Sequence, residues 1–94
     1  MTIQEYLKER PLLFDGAMGT YLAERCPELG EMHCERANIT HPSLVKEIHR
    51  EYLLAGAAAI KTNTFAANCQ MMEEGMPAVS DLIRAGWELA SQAA

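Results

Sequence analysis

Basic runs are missing from this sequence, and so are long apolar ones. A formal net charge of −5, with no Lys/Arg stripe, removes the electrostatic footprint that nucleic-acid binding needs. The longest nearly apolar stretch, around residues 53–60, falls far short of the roughly 20 residues a bilayer span requires. Residues 1–10 lack both the basic start and the apolar segment of a signal peptide, so a cytoplasmic location is expected, with no membrane partner. Cysteine is scarce: Cys26, Cys34 and Cys69 form no CxxC pair, and their odd number leaves one unpaired under any disulfide scheme. That fits a reducing compartment better than a secreted disulfide scaffold. His33, Cys34 and His41 match no common zinc spacing, so the thiols read as buried or half-exposed and the histidines as surface residues. No GxGxxG or GxxxxGK phosphate loop and no Ser/His/Asp arrangement is legible. What remains, 49% apolar and 22% charged residues over 94 positions, is the composition of one small domain.

The apolar pattern divides the chain into alternating elements. Ile3, Tyr6 and Leu7 at i, i+3, i+4 predict a short helix over residues 2–9, ended by Arg10-Pro11. Leu12-Leu13-Phe14, bounded by Pro11 and Asp15-Gly16, reads as a strand buried on both faces in a parallel sheet. A turn over residues 16–19 and a short helix from Thr20 to about Arg25 follow, and residues 26–38 read as a long irregular connection. Thr40-His41-Pro42 opens a helix whose apolar face holds Leu44, Val45, Ile48, Tyr52 and Leu53, and Gly56 ends it. Residues 57–64 then read as a second strand, on the strength of Ile60, Thr62 and Thr64. One or two helical turns are expected within residues 68–74. A last helix from Pro77 buries Val79, Leu82, Ile83, Gly86, Leu89, Ala90 and Ala93. A helix over residues 42–55, roughly 21 Å at about 1.5 Å per residue, returns the chain by one strand length, as a β-α-β crossover requires. The pattern stops where a third strand is expected. Two strands leave ladder groups unpaired on both edges, so the reading is a fragment of a larger α/β domain.

Chemistry-bearing residues fall at the carboxyl ends of both expected strands, the edge where parallel α/β folds bind ligands. Asp15 offers a carboxylate, and the amides of Gly16, Ala17 and Met18 form a candidate anion nest beside it. Carboxylate beside nest suits a zwitterion, with an ammonium on Asp15 and a carboxylate on the amides. A plain Asp-Gly turn closed by its own Asx hydrogen bond fits the same spacing. Asn63, Thr64 and Phe65 hold the equivalent place after the second strand, either lining the same mouth or capping the next turn. Lys61, within that strand, raises a rival Schiff-base lyase chemistry if it is buried, although strand lysines more often pair with a carboxylate or reach solvent. Met71, Met72 and Met76 read as core filling or as an adaptable interface.

Read together, Leu12-Leu13-Phe14-Asp15-Gly16-Ala17-Met18-Gly19-Thr20, Cys34-Glu35-Arg36-Ala37-Asn38-Ile39-Thr40-His41-Pro42, residues 45–52, Ala55-Gly56-Ala57, Ile60-Lys61-Thr62-Asn63-Thr64-Phe65 and Asn68 resemble the homocysteine S-methyltransferase family in order and spacing. This wider group includes cobalamin-dependent methionine synthases, betaine- and S-methylmethionine-dependent enzymes, and bacterial fusions to methylenetetrahydrofolate reductase. The resemblance implies an α/β chain, the N-terminal β-α-β portion of a (β/α)8 TIM barrel left incomplete here, with residues 1–94 supplying the first two strands and their helices. It implies an enzyme in which zinc binds the homocysteine thiolate and a methyl donor gives up its methyl group to form methionine. Cobalamin or folate would enter through other domains, and the remainder of the barrel would be the chain's partner. The position of Asp15 then contacts the substrate amino group, the amides of Gly16 and Ala17 receive its carboxylate, and Asn63, Thr64 and Phe65 help form the pocket. The family's zinc-binding cysteines come from an Asn-Cys block and a Gly-Gly-Cys-Cys block late in the barrel. Neither is present before Ala94, and Cys69 after Asn68 lies too early to match. No catalytic or metal-binding residue is therefore expected in this chain, and the chain alone is expected to be inactive. A non-catalytic binding or assembly module that completes its sheet with a partner is the alternative.

Overall fold

A computed structural model of the chain describes residues 2–29, 34–68, 72 and 75–94. Helices dominate it. α1 (Ile3–Glu9) starts at Thr2, whose hydroxyl accepts the Glu5 N–H at 3.1 Å as an N-cap. None of its residues is buried, so α1 lies at the periphery. α2 (Gly19–Arg25) follows the turn after Asp15 and buries Leu22. The segment read as irregular is more ordered than expected: 3₁₀ turns at Pro27–Leu29 and Cys34–Arg36 lead into α3 (Ala37–Thr40). α4 (Pro42–Leu54) begins with proline in its first turn, as the missing N–H there costs nothing. It ends at Gly56, whose φ of +119° lets the Ala57 N–H reach the Tyr52 carbonyl at 3.0 Å and its own N–H reach Leu53 at 3.1 Å, a Schellman cap. α5 (Met76–Ala93) begins after Gly75, with Pro77 in its first turn.

α4 and α5 pack together over the main core of Leu22, Leu29, Ala37, Val45, Ile48 and Leu89. A smaller cluster of Ala67, Met72, Val79 and Leu82 lies beneath the loop that leads to α5. The predicted apolar face of α5 is observed in part. Val79, Leu82, Gly86, Leu89 and Ala90 are buried, whereas Ile83 faces out. Cys69 and Met71 fall outside the described residues, as do His33 and most of the turn expected over residues 68–74.

The expected strands are where the sequence reading fails. Among the described residues there is no sheet. The β-α-β portion of a barrel is replaced by one isolated parallel bridge, Phe14 to Ala59. Three backbone bonds hold it: Ala58 N–H to Leu13 O at 2.7 Å, Ala59 N–H to Leu13 O at 3.2 Å, and Asp15 N–H to Ala59 O at 3.1 Å. A strand gains stability from ladders and from cover on its faces. Here Leu13 is 59% exposed and Phe14 51%, so the residues read as doubly buried have cover on neither side sufficient to extend the pairing. Of the two strands read from the sequence, only the Phe14–Ala59 bridge is present among the described residues.

Candidate functional site

The single bridge is enough to bring the two motif-bearing segments together. Asp15 follows Phe14 and Lys61 follows Ala59 by two, so the residues after each extended segment face one another across a recess of about 320 Å³. Of the residues singled out from sequence, Asp15, Gly16, Ala17, Asn63 and Phe65 line this recess. Thr64 does not. Its hydroxyl lies 2.7 Å from that of Thr62, and its methyl group points toward Gly86 of α5. Thr62 takes its place in the lining, with Cys34, Glu35 and Lys61. Phe65 stands at the rim, 95% exposed.

Asp15 is buried, and its carboxylate is held from two directions. The Lys61 N–H lies 3.3 Å from both oxygens, and the Lys61 ammonium sits 3.6 Å from Oδ1. Such a carboxylate is already arranged for cations, since burial raises the strength of each charge contact. The Lys61 side chain is 62% exposed, which withholds the desolvation that Schiff-base chemistry requires and matches the ordinary paired lysine instead.

Asn63 is also buried, but its side chain is spent on the fold. Its amide donates to the Cys34 carbonyl at 2.9 Å and to Asn38 Oδ1 at 3.1 Å, and its Oδ1 accepts from the Cys34 thiol at 3.3 Å. Asn38 in turn donates to the carbonyls of Asn63 at 2.8 Å and Leu82 at 3.2 Å, tying the recess wall to α5. Glu35, buried beside Cys34, accepts the Ala66 N–H at 3.0 Å and sets the path of the loop behind Phe65. Glu35, Asn38 and Thr62 are the site-forming residues that pattern reading missed. Asn38 and Glu35 lie in the segment read as irregular, and Thr62 reads as one more residue of the expected second strand. Only their tertiary partners distinguish them.

Burial and the neighbouring Glu35 charge push the Cys34 thiol up to about 11, so it stays protonated through neutral pH. A protonated thiol that already donates to an amide is a poor metal ligand. Cys26 has His41 Nε2 at 3.9 Å from its sulfur, and no third donor joins them among the described residues. Among the described residues no three His, Cys, Asp or Glu side chains gather to hold a metal, so they do not fit a zinc site. Deeper in α4, His49 is fully buried, and neither ring nitrogen has a hydrogen-bond partner among the described residues. Burial lowers its pKa from 6.5, with the Asp15 charge pulling the other way.

No helix among the described residues is long and apolar enough to cross a membrane. A family model described as homocysteine S-methyltransferase matches residues 12–94. Methionine synthase from Mycobacterium tuberculosis (strain ATCC 25618 / H37Rv) is 38% identical over 85 residues, covering 85% of this chain and 7% of that protein. Methionine synthase from Mycobacterium leprae (strain TN) matches with the same identity and coverage. The chain thus spans about 7% of the length of these curated relatives. No solved structure gives a significant match.

Proposed function

The chain belongs to the homocysteine S-methyltransferase family, and from that premise we propose that its recess holds the amino-acid end of homocysteine for methyl transfer to the substrate sulfur, giving methionine. The observation that carries this reading is the buried Asp15 carboxylate, which faces a cation across a recess shared with Gly16, Ala17 and Asn63. In this reading the substrate ammonium takes the place that the Lys61 ammonium holds, while the exposed lysine stem swings outward. The amides of the turn after Asp15 take the substrate carboxylate. Phe65 and Thr62 flank the side chain that carries the sulfur. Thr64 contributes through the loop, by its bond to Thr62. The described residues do not fit a zinc site. The chemistry assigned to this chain is therefore orientation: it binds the amino acid and fixes which way the thiol points, while the methyl donor and the activation of sulfur are supplied from elsewhere.

Asp15→Asn tests this. The substitution keeps the shape and removes the charge, so the dissociation constant for L-homocysteine, measured by calorimetry, should rise about 10-fold or more, the worth of a charge-assisted contact. An affinity for L-homocysteine that is unchanged by Asp15→Asn removes Asp15 from the site and the reading with it.

A further inference from the structure

Gly16 is one of the motif residues, and the usual argument for a glycine beside a ligand is that it lets the ligand approach the backbone. The geometry gives a different reason. A Cβ placed on Gly16 would lie 3.0 Å from the Tyr52 hydroxyl oxygen, 3.1 Å from its Cε1 and 3.3 Å from its Cζ. Positive φ occurs only at Gly56 and Gly75 among the described residues, so the Gly16 backbone itself admits alanine. What crowds a side chain there is the tyrosine ring, which would have to give by a few tenths of an ångström.

The same ring acts on the next residue. The Tyr52 hydroxyl donates to the Ala17 carbonyl at 2.6 Å. In a trans peptide the carbonyl of one residue and the N–H of the next lie in one plane and point in opposite directions within it, and no cis bond occurs among the described residues. Drawing the Ala17 carbonyl toward α4 therefore turns the Met18 N–H away from α4. Ala17 lines two recesses: the site described above, and a second of about 300 Å³ whose wall includes Tyr52. Tyr52 lines only the second, so the turn separates the tyrosine from the site.

We propose that Tyr52 is a positioning residue: from behind the turn it clamps Gly16 and Ala17 so that the backbone amide of Met18 faces the recess and receives the carboxylate of the amino-acid substrate. This rests on the homocysteine reading given under Proposed function and adds to it the element that holds the amides in place. α4 is a suitable anchor, because Val45, Ile48 and His49 bury it one and two turns before Tyr52.

The test is a double-mutant cycle on the full chain, with L-homocysteine as the probe and the Met18 amide followed by NMR. Tyr52→Phe removes the hydroxyl but keeps the ring. It should weaken L-homocysteine binding about fivefold, within the range of one neutral hydrogen bond, and shift the Met18 amide resonance in the ligand-free protein. Gly16→Ala should also weaken binding, by displacing the ring. Because both act through the same clamp, the double variant should bind about as well as the weaker single variant, rather than showing the product of the two losses. Multiplicative losses mean that Gly16 serves the ligand directly and overturn the proposal. So does normal binding by Tyr52→Phe when Asp15→Asn binds poorly. If Asp15→Asn also binds normally, or the unaltered chain does not bind L-homocysteine, the homocysteine reading itself has failed and the clamp falls with it.

Discussion

Asn38 and Asn63 hold each other by two hydrogen bonds of opposite direction: the Asn38 amide donates to the Asn63 carbonyl at 2.8 Å, and the Asn63 amide donates to Asn38 Oδ1 at 3.1 Å. Both residues are buried, and the pair joins α3 to the loop that carries the recess. Polar pairs of this kind stabilise little over solvent when intact and cost much when one half is removed.

Asn63→Ala should therefore destabilise the chain by about 2–3 kcal/mol, because it strands Asn38 Oδ1 and the Cys34 backbone carbonyl, both of which accept from the Asn63 amide. Urea unfolding followed by circular dichroism measures this. A loss below about 0.5 kcal/mol, the level of an ordinary surface substitution, would mean that water takes over both bonds.

Gly86 offers a test in which the sign is the result. In an exposed helix interior, glycine to alanine stabilises by about 1 kcal/mol. At Gly86 a Cβ would meet Asn38 Nδ2 and the Thr64 methyl group, both at 2.8 Å. Gly86→Ala should instead destabilise by about 1–3 kcal/mol, the usual cost of overpacking. A raised melting temperature would show that α5 does not pass Asn38 and Thr64 this closely.

Thiol chemistry separates Cys34 from an ordinary cysteine. With its pKa pushed from 9.0 to about 11, Cys34 holds about 100-fold less thiolate near pH 8 than an unperturbed thiol. Alkylation by iodoacetamide at that pH, mapped by peptide mass spectrometry, should leave Cys34 largely unmodified while a free cysteine standard reacts. Rapid labelling of Cys34 in folded protein would contradict its burial beside Glu35.

Acid should weaken the fold through His49. Its folded pKa lies below the unfolded value of 6.5, so between the two the unfolded chain binds more protons. The stability contributed is complete above pH 6.5 and declines as pH falls below it, by at most about 1.4 kcal/mol per pH unit for one proton. Urea midpoints between pH 7.5 and 5 should follow this slope, and His49→Leu should flatten it. A slope that survives in His49→Leu would assign the effect to other groups.

Helices were legible because their signals are local. Pro42 at the start of α4 and Gly56 at its end are capping choices that depend on a few neighbours, and each has the predicted role. The sheet was not legible. Leu12-Leu13-Phe14 specifies extended backbone, but nothing in three residues states how many strands will flank them. Part of the recess could be located from the sequence, because Asp15, Gly16 and Asn63 sit where extended segments end. Its inner wall could not. Glu35 reads as a charged loop residue until its bond to Ala66 is known, and Thr62 and Thr64 are interchangeable in a two-residue period until α5 crosses over one of them.

The bridge between Phe14 and Ala59 has a kinetic meaning as well as a geometric one. One residue pair sets the register of both segments, and a slip by a single residue would turn Asp15 to the opposite side. The Asp15 N–H is itself one of the three bonds in that bridge, so its exchange with solvent deuterium requires the same opening event that dismantles the recess. That one amide is a clock for the site: its exchange rate reports what fraction of the time Asp15 and Lys61 stand opposed, before any ligand is added.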